Sequence, residues 1–211
     1  MIFRDRKDAG IKLANALERY VGQDVIIFAL PRGGVPLGFE IARKLDAPLD
    51  LIITKKIGHP MNAEYAICAL AEDGSPVCNG AEVSHVDPGW LEEETKRVRR
   101  EIKRRREKYM GEITTHPVAG KTAIIVDDGI ATGLTMIAAI EEIKSRKPKR
   151  LVVAIPVTPY DTAQRLKSMV DDLVSLDVDE HYLGAVGAYY EDFSQVEDSE
   201  VISLLKSASK K

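Results

Sequence analysis

Short apolar runs and stretches of helical periodicity take turns along this chain. Residues 25–30, 49–54, 123–126, 151–156 and 172–176 are brief and mostly apolar, with β-branched residues prominent, the pattern of strands buried in a sheet. Within residues 5–20, Ala9, Leu13, Ala14, Leu17 and Tyr20 recur at helical spacing and predict an amphipathic helix that packs and does no chemistry. Residues 36–44, 136–143 and 160–169 read as further helices. Strand and helix in alternation predict an α/β fold with a parallel sheet flanked by helices on both faces.

Three stretches stand outside that alternation. Residues 57–86 show no helical period; they carry turn signals at Asp73-Gly74 and Asn79-Gly80 and a hairpin pattern at 66–72 and 76–78, so a long loop is expected. Asp87 followed by Pro88 starts a helix that runs to about residue 110, with Glu92, Glu93 and Glu94 at the positive end of its dipole. Its apolar residues Leu91, Val98, Ile102 and Tyr109 form a narrow stripe, which leaves the basic run 96–108 two readings: a solvated face, or a surface for nucleic acid. Residues 181–201 cluster Tyr182, Tyr189, Tyr190 and Phe193, either a platform for a flat ligand or an aromatic core patch.

Composition narrows the function classes. A chain of 211 residues, 45% hydrophobic and 30% charged, suffices for one well-buried α/β domain. The net charge of −3 gives no overall electrostatic case for nucleic acid or an anionic membrane. No apolar run is long enough to span a bilayer, and the charged start MIFRDRKDAG lacks the apolar core of a secretory signal, so a cytoplasmic location is expected. Cys68 and Cys78 fit no metal-ligand or redox spacing and are expected as buried or idle thiols. His59, His85, His116 and His181 are scattered, so no protein metal cage is expected.

The densest chemistry lies at 124–136, IIVDDGIATGLTM. An apolar strand ends in two adjacent acids, Asp127 and Asp128. Ala131, Thr132, Gly133, Leu134 and Thr135 then form a small-residue turn into a helix, where backbone N–H groups suit a phosphate. After the strand at 25–30, Arg32 offers a phosphate-matching fork of donors, and Gly33 and Gly34 allow a backbone to come close to a ligand. Lys55 and Lys56 sit at the end of the next strand. GxxxxGK[ST] and GxGxxG are both absent, which excludes a Walker loop and weighs against a Rossmann oxidoreductase.

The 124–136 segment resembles the phosphoribosyl diphosphate (PRPP) signature of type I phosphoribosyltransferases, with one departure: Gly129 stands where the family usually has an aliphatic residue, implying a more pliable loop. The resemblance implies a single domain with its core at about 1–56 and 118–178, a flexible loop at about 57–86 that closes over the site, and a small hood of irregular and terminal segments at 179–211. It implies that Asp127 and Asp128 hold the ribose hydroxyls, and that Ala131 to Thr135 hold the 5′-phosphate. Arg32, Gly33, Gly34, Lys55 and Lys56 would hold the diphosphate. Tyr182, Tyr189, Tyr190 and Phe193 would line a base pocket. His59, Asn62, Glu64 and Tyr65 are the loop residues able to do acid–base or orienting work, and nothing in the sequence ranks them. The implied reaction transfers 5-phosphoribose to a nitrogenous, purine-like acceptor and releases diphosphate. Mg²⁺ would be held mainly by PRPP, and a homo-oligomer is expected. Ala131 stands where hypoxanthine- and guanine-type enzymes carry an acid, nearer the adenine-type pattern. The competing class is a non-catalytic PRPP sensor that binds nucleic acid through 96–108.

Overall fold

The structure, a computed structural model, describes residues 1–111 and 115–210. In chain order its elements are α1 (Arg6–Ala16), β1 (Val25–Ala29), α2 (Gly34–Leu45), β2 (Leu49–Leu51), β3 (Thr54–His59), β4 (Asn62–Ala71), β5 (Val77–Cys78), α3 (Gly80–Val83) and α4 (Pro88–Met110). There follow β6 (Thr122–Val126), α5 (Leu134–Ser145), β7 (Arg150–Pro159), α6 (Tyr160–Lys167), β8 (Asp172–Asp179) and α7 (Asp198–Ala208). A five-stranded parallel sheet has the order β2-β1-β6-β7-β8, and a three-stranded antiparallel sheet has the order β3-β4-β5.

The alternating side chains of the central strands fill two cores. Ile27, Ala29, Ile124, Val126, Val152 and Ala154 pack on one face with α1, α2 and α7, while Ile26, Phe28, Ala123, Ile125, Val153 and Ile155 pack on the other with α5. Both faces being covered explains why these strands are apolar throughout instead of alternating. The order places a switch between β1 and β6: the chain leaves β1 towards β2 on one side and meets β6 on the other. Ligands of open α/β sheets bind in the crevice that such a reversal leaves at the carboxyl ends of the strands.

Four sequence expectations change. The run 49–54 is divided: Leu49–Leu51 joins the parallel sheet, and Thr54 already starts β3 in the other. Residues 57–86 are mostly regular, because β4 pairs with both β3 and β5, and only the turns around it are irregular. Cys68 and Cys78 are neither idle nor free; they pair across β4 and β5 as a disulfide. The terminal segment ends in α7, whose Val201, Ile202, Leu204 and Leu205 spacing carried a helical signal.

The basic helix is also less solvated than its narrow stripe implied. Arg106 donates to the Leu51 carbonyl at 2.9 Å, to Glu72 Oε1 at 2.7 Å and to the fully buried Asp50 at 2.8 Å. Arg99 donates to the carbonyls of Glu72 and Gly74 at 2.7 and 3.0 Å. Arg146, the C-cap of α5, reaches Glu72 from the other side at 3.0 Å. These bonds tie α4 to both sheets, and breaking one partner would leave a charge with little access to water. Among the described residues, no helix is long and apolar enough to cross a membrane.

Candidate functional site

Two loops meet at the β1–β6 switch, and glycine sets how closely. The Leu30 N–H donates to the Val126 carbonyl at 2.9 Å, carrying the β1–β6 pairing into the loops. The Pro31–Arg32 peptide is cis, and Gly33 comes next. A Cβ at Gly33 would lie 2.0 Å from Asp128 Oδ2, so only a residue without one lets the first loop lie against the acid. This close approach explains the glycine better than backbone dihedrals do, since Gly33 has an ordinary helical φ of −60°.

Asp127 and Asp128 follow β6 directly and are largely withdrawn from water. The Asp128 N–H donates to Asp127 Oδ1 at 2.9 Å. Burial pushes both carboxyls up, and the neighbouring Asp128 charge pushes Asp127 further. At Asp128 the opposing influence is Arg6, whose Nε donates to Oδ2 at 2.8 Å, with both side chains nearly covered. Arg6 lies in the first turn of α1, the helix expected to do no chemistry, and 122 positions separate it from its partner. Its guanidinium also lies 3.8 Å from the centre of the Phe193 ring and donates to the Ser194 carbonyl at 2.6 Å. Sequence reasoning missed it, and no local signal distinguishes it from the other charges of the terminus.

After the acids, the chain turns into α5. Gly129 combines a φ of +155° with tight packing: a Cβ there would lie 2.5 Å from Val186 Cγ1, so backbone and hood together disfavour an aliphatic residue. The Ile130 N–H donates to the Val157 carbonyl at 3.0 Å, and the Thr162 hydroxyl donates to the Ala131 carbonyl at 3.0 Å. Gly133 adopts φ of +80° and caps α5 without a side-chain hydrogen bond; the first helical bond runs from the Ile137 N–H to the Gly133 carbonyl. Among the described residues, the N–H groups of Leu134, Thr135 and Met136 therefore have no protein acceptor, and Thr132 is exposed beside them. Uncapped amides at the positive end of a helix can receive an anion.

The aromatic residues separate into two roles. Tyr189 and Tyr190 are core: the Tyr189 hydroxyl donates to Asp179 at 2.6 Å, and the Tyr190 hydroxyl donates to the Asp128 carbonyl at 2.6 Å, pinning the hood to the acid loop. Their buried rings present no open face to a base. Tyr182 and Phe193 are half-buried. Tyr182 stacks on Tyr189 with ring centres 5.4 Å apart, and its buried hydroxyl has no hydrogen-bond partner among the described residues. Burial and the Asp128 charge push that phenol up, so it is a neutral donor.

On the other side of the switch, Arg32 lies 3.6 Å from Asp198 of α7. Lys55 forms an ion pair with Glu101 of α4. Lys56, the next residue along the strand, is exposed and forms no ion pair among the described residues. Of the loop candidates, His59 Nδ1 accepts from the Met61 N–H at 3.1 Å within the β3–β4 turn, Asn62 Oδ1 accepts from the Glu64 N–H at 3.2 Å, and Tyr65 donates to Glu82 at 2.9 Å. No hydrogen bond joins any of them to Asp127 or Asp128 among the described residues. Among the described residues, no group of three or more His, Cys, Asp or Glu residues gathers as a metal cage.

Comparison with known proteins identifies the family and the fold. The family model described as "Phosphoribosyl transferase domain" matches residues 4–192. Rv0571c of Mycobacterium tuberculosis, whose name assigns it provisionally to the phosphoribosyl transferases, is 38% identical over 209 residues. That match covers 98% of this chain and 47% of the relative, so the chain spans about half the length of that curated protein. The crystal structure of TT1426 from Thermus thermophilus superposes with a TM-score of 0.82 at 38% identity, covering 97% of this chain and 98% of the other.

Proposed function

The chain belongs to the phosphoribosyltransferase family, and from that premise we propose that it transfers 5-phosphoribose from PRPP to a purine-like nitrogenous acceptor, releasing diphosphate. The observation that carries the proposal is the junction at the switch: a glycine loop against a buried acid pair, followed one turn later by an uncapped helix N-terminus. A ribose carrying phosphate at one end and diphosphate at the other has the groups this arrangement can receive.

In this reading Asp127 and Asp128 accept from the ribose 2′ and 3′ hydroxyls, with Arg6 holding Asp128 in place and in its charged form. The amides from Ala131 to Thr135 hold the 5′-phosphate, and Arg32 with the Gly33–Gly34 backbone holds the diphosphate. Departure of diphosphate leaves positive charge on the sugar, so most of the protein's work is positioning and electrostatic stabilisation. The two acids are hard oxygen donors and no fuller cage surrounds them among the described residues, which suits Mg²⁺ carried mainly by the substrate's own oxygens. When bound there, the metal would neutralise the leaving diphosphate. Tyr182, with its unpartnered hydroxyl, and Phe193 are the residues we assign to the acceptor. Ala131 in place of an acid favours an adenine-like base.

A role in nucleotide metabolism, a cytoplasmic location and assembly as a homo-oligomer belong to the same proposal. The competing sensor reading loses support because Arg97, Arg99, Arg106 and Lys108 of the basic run all have acidic or carbonyl partners within the chain. Diphosphate release, measured with PRPP, Mg²⁺ and a panel of purine and pyrimidine bases, tests the proposal. Release stimulated by one purine is expected. PRPP binding without release for any base would instead support a sensor.

A further inference from the structure

The side of α4 that faces α7 and the loop after β1 carries more positive charge than the fold can use. Arg104, Arg105 and Lys108 fall on one face by helical spacing and, with Arg32 from the loop after β1, Tyr109 and Asp198, they line a cavity of about 480 Å³. Four cations thus share one acid. Asp198 accepts from Lys108 and from the Tyr109 hydroxyl, each at 2.5 Å, and lies 3.6 Å from Arg32, so its charge is already committed. Lys108, then Tyr109, hold its carboxyl down to about 2. Arg104 is exposed and has no ion pair among the described residues, while Arg105 contacts Tyr109 alone, its hydroxyl at 3.5 Å and its ring centre at 5.7 Å, and has no ion pair among them either. Lys55, on the neighbouring strand, is pushed down by burial first and then by the charges of Arg97, Arg105 and Arg104.

Like charges converging on a cavity repel unless an anion joins them. The excess here suits a compact oxyanion with several charges, and arginine forks match phosphate oxygens in pairs. Arg32 belongs both to this cavity and to the loop whose Gly33 touches Asp128, so the cavity opens from the acid pair's neighbour.

We propose that α4 supplies a second wall of the diphosphate site: Arg104 and Arg105, with Lys108, face Arg32 across the cavity and bind the diphosphate of PRPP and of the product. This assignment rests on the phosphoribosyltransferase reading for the identity of the anion. Asp198 then serves as a stand-in that holds Arg32 and Lys108 when no diphosphate is present.

The test uses the full chain and three probes by calorimetry: inorganic diphosphate with Mg²⁺, PRPP with Mg²⁺, and ribose 5-phosphate, which lacks the diphosphate. The variant is Arg104→Gln combined with Arg105→Gln, two positions with few partners in the fold. The control is Arg100→Gln combined with Lys103→Gln, equal in charge and lining a separate cleft on α4. Diphosphate and PRPP should bind the first variant roughly tenfold to a hundredfold more weakly, with ribose 5-phosphate unchanged and the control unaffected. Equal diphosphate affinity in wild type and a folded Arg104/Arg105 variant overturns the wall, as does an equal loss in the control. Wild type that binds diphosphate through Arg104 and Arg105 but neither PRPP nor ribose 5-phosphate would sustain the wall and defeat the family function.

Discussion

At the end of β6, two carboxylates are buried with a single guanidinium between them and the hood; along α4, cations crowd a cavity with a single acid among them. Each region is unbalanced, in opposite senses, and Arg32 and Gly33, adjacent in one loop, touch both. Neither imbalance suits a packed core, where buried charges are paired. Together they describe a ligand: hydroxyls for the acids, a multiply charged anion for the cations, and a second phosphate for the α5 terminus. Stability and binding are therefore expected to pull against each other in the acid region and to be nearly independent on α4.

The largest break in that comparison comes from Gly33→Ala. The added methyl needs space that Asp128 Oδ2 occupies, 2.0 Å away, and Gly33 has no positive φ to confuse the result. Loop and acid must separate, and misplacement of about 1 Å can lower activity on the order of a hundredfold. A comparable loss of PRPP affinity is expected in a folded protein by calorimetry; near-native affinity would mean the loops need not touch for binding.

Arg6→Gln sharpens the acid side with a smaller effect, a loss of roughly tenfold in PRPP affinity. Burial already pushes the Asp128 carboxyl up, and removing the guanidinium removes the influence that opposes it. The carboxylate must be charged to accept well from a hydroxyl, so affinity should begin to fall at a higher pH in the variant than in wild type as pH is lowered from about 8 to about 5. Superimposable pH curves would reduce Arg6 to a packing residue.

Asp127→Asn should move stability and binding in opposite directions. Its folded carboxyl is raised above the ordinary value of 3.8, so the stability it contributes is present below that value and is lost as pH rises through the folded one. At neutral pH the amide variant should melt a few degrees higher than wild type and bind PRPP more weakly, and below pH 3.8 the melting difference should close. An amide can still accept from the Asp128 N–H, which keeps the local geometry. A variant less stable than wild type at neutral pH would show the burial to be harmless.

What the sequence disclosed follows from the range of the interactions. The strand, acids and phosphate turn at 124–136 are contiguous, and Arg32, Gly33 and Gly34 directly follow a strand, so local pattern located both. Arg6 could not be found that way, because only the folding of α1 onto the hood brings it to Asp128. Gly129 looked like a source of pliability, but the residue that explains it, Val186, comes from the distant hood. The basic run was legible as charge, but its division into bonds that tie the sheets and cations that line a cavity depends on which residues face Glu72 and which face Arg32. The disulfide depended likewise on the pairing of β4 with β5, which sets Cys68 opposite Cys78.

Within the segment 57–86, the part we propose as a lid is the β3–β4 tip. Residues 61–65 at the β3–β4 tip are exposed, and the pairing slips between Ile57 and His59, so the tip is held by little while the body of the sheet is anchored. The central claim, that PRPP bridges the two loops of the switch, is tested most directly by amide hydrogen exchange on the free protein, with Mg²⁺ alone, with PRPP alone and with both. The account predicts that Gly33 and the amides from Thr132 to Met136 become protected together when PRPP and Mg²⁺ are both present, with the hairpin tip following. Protection confined to one loop, or PRPP binding that leaves both loops exchanging as in the free protein, would contradict it.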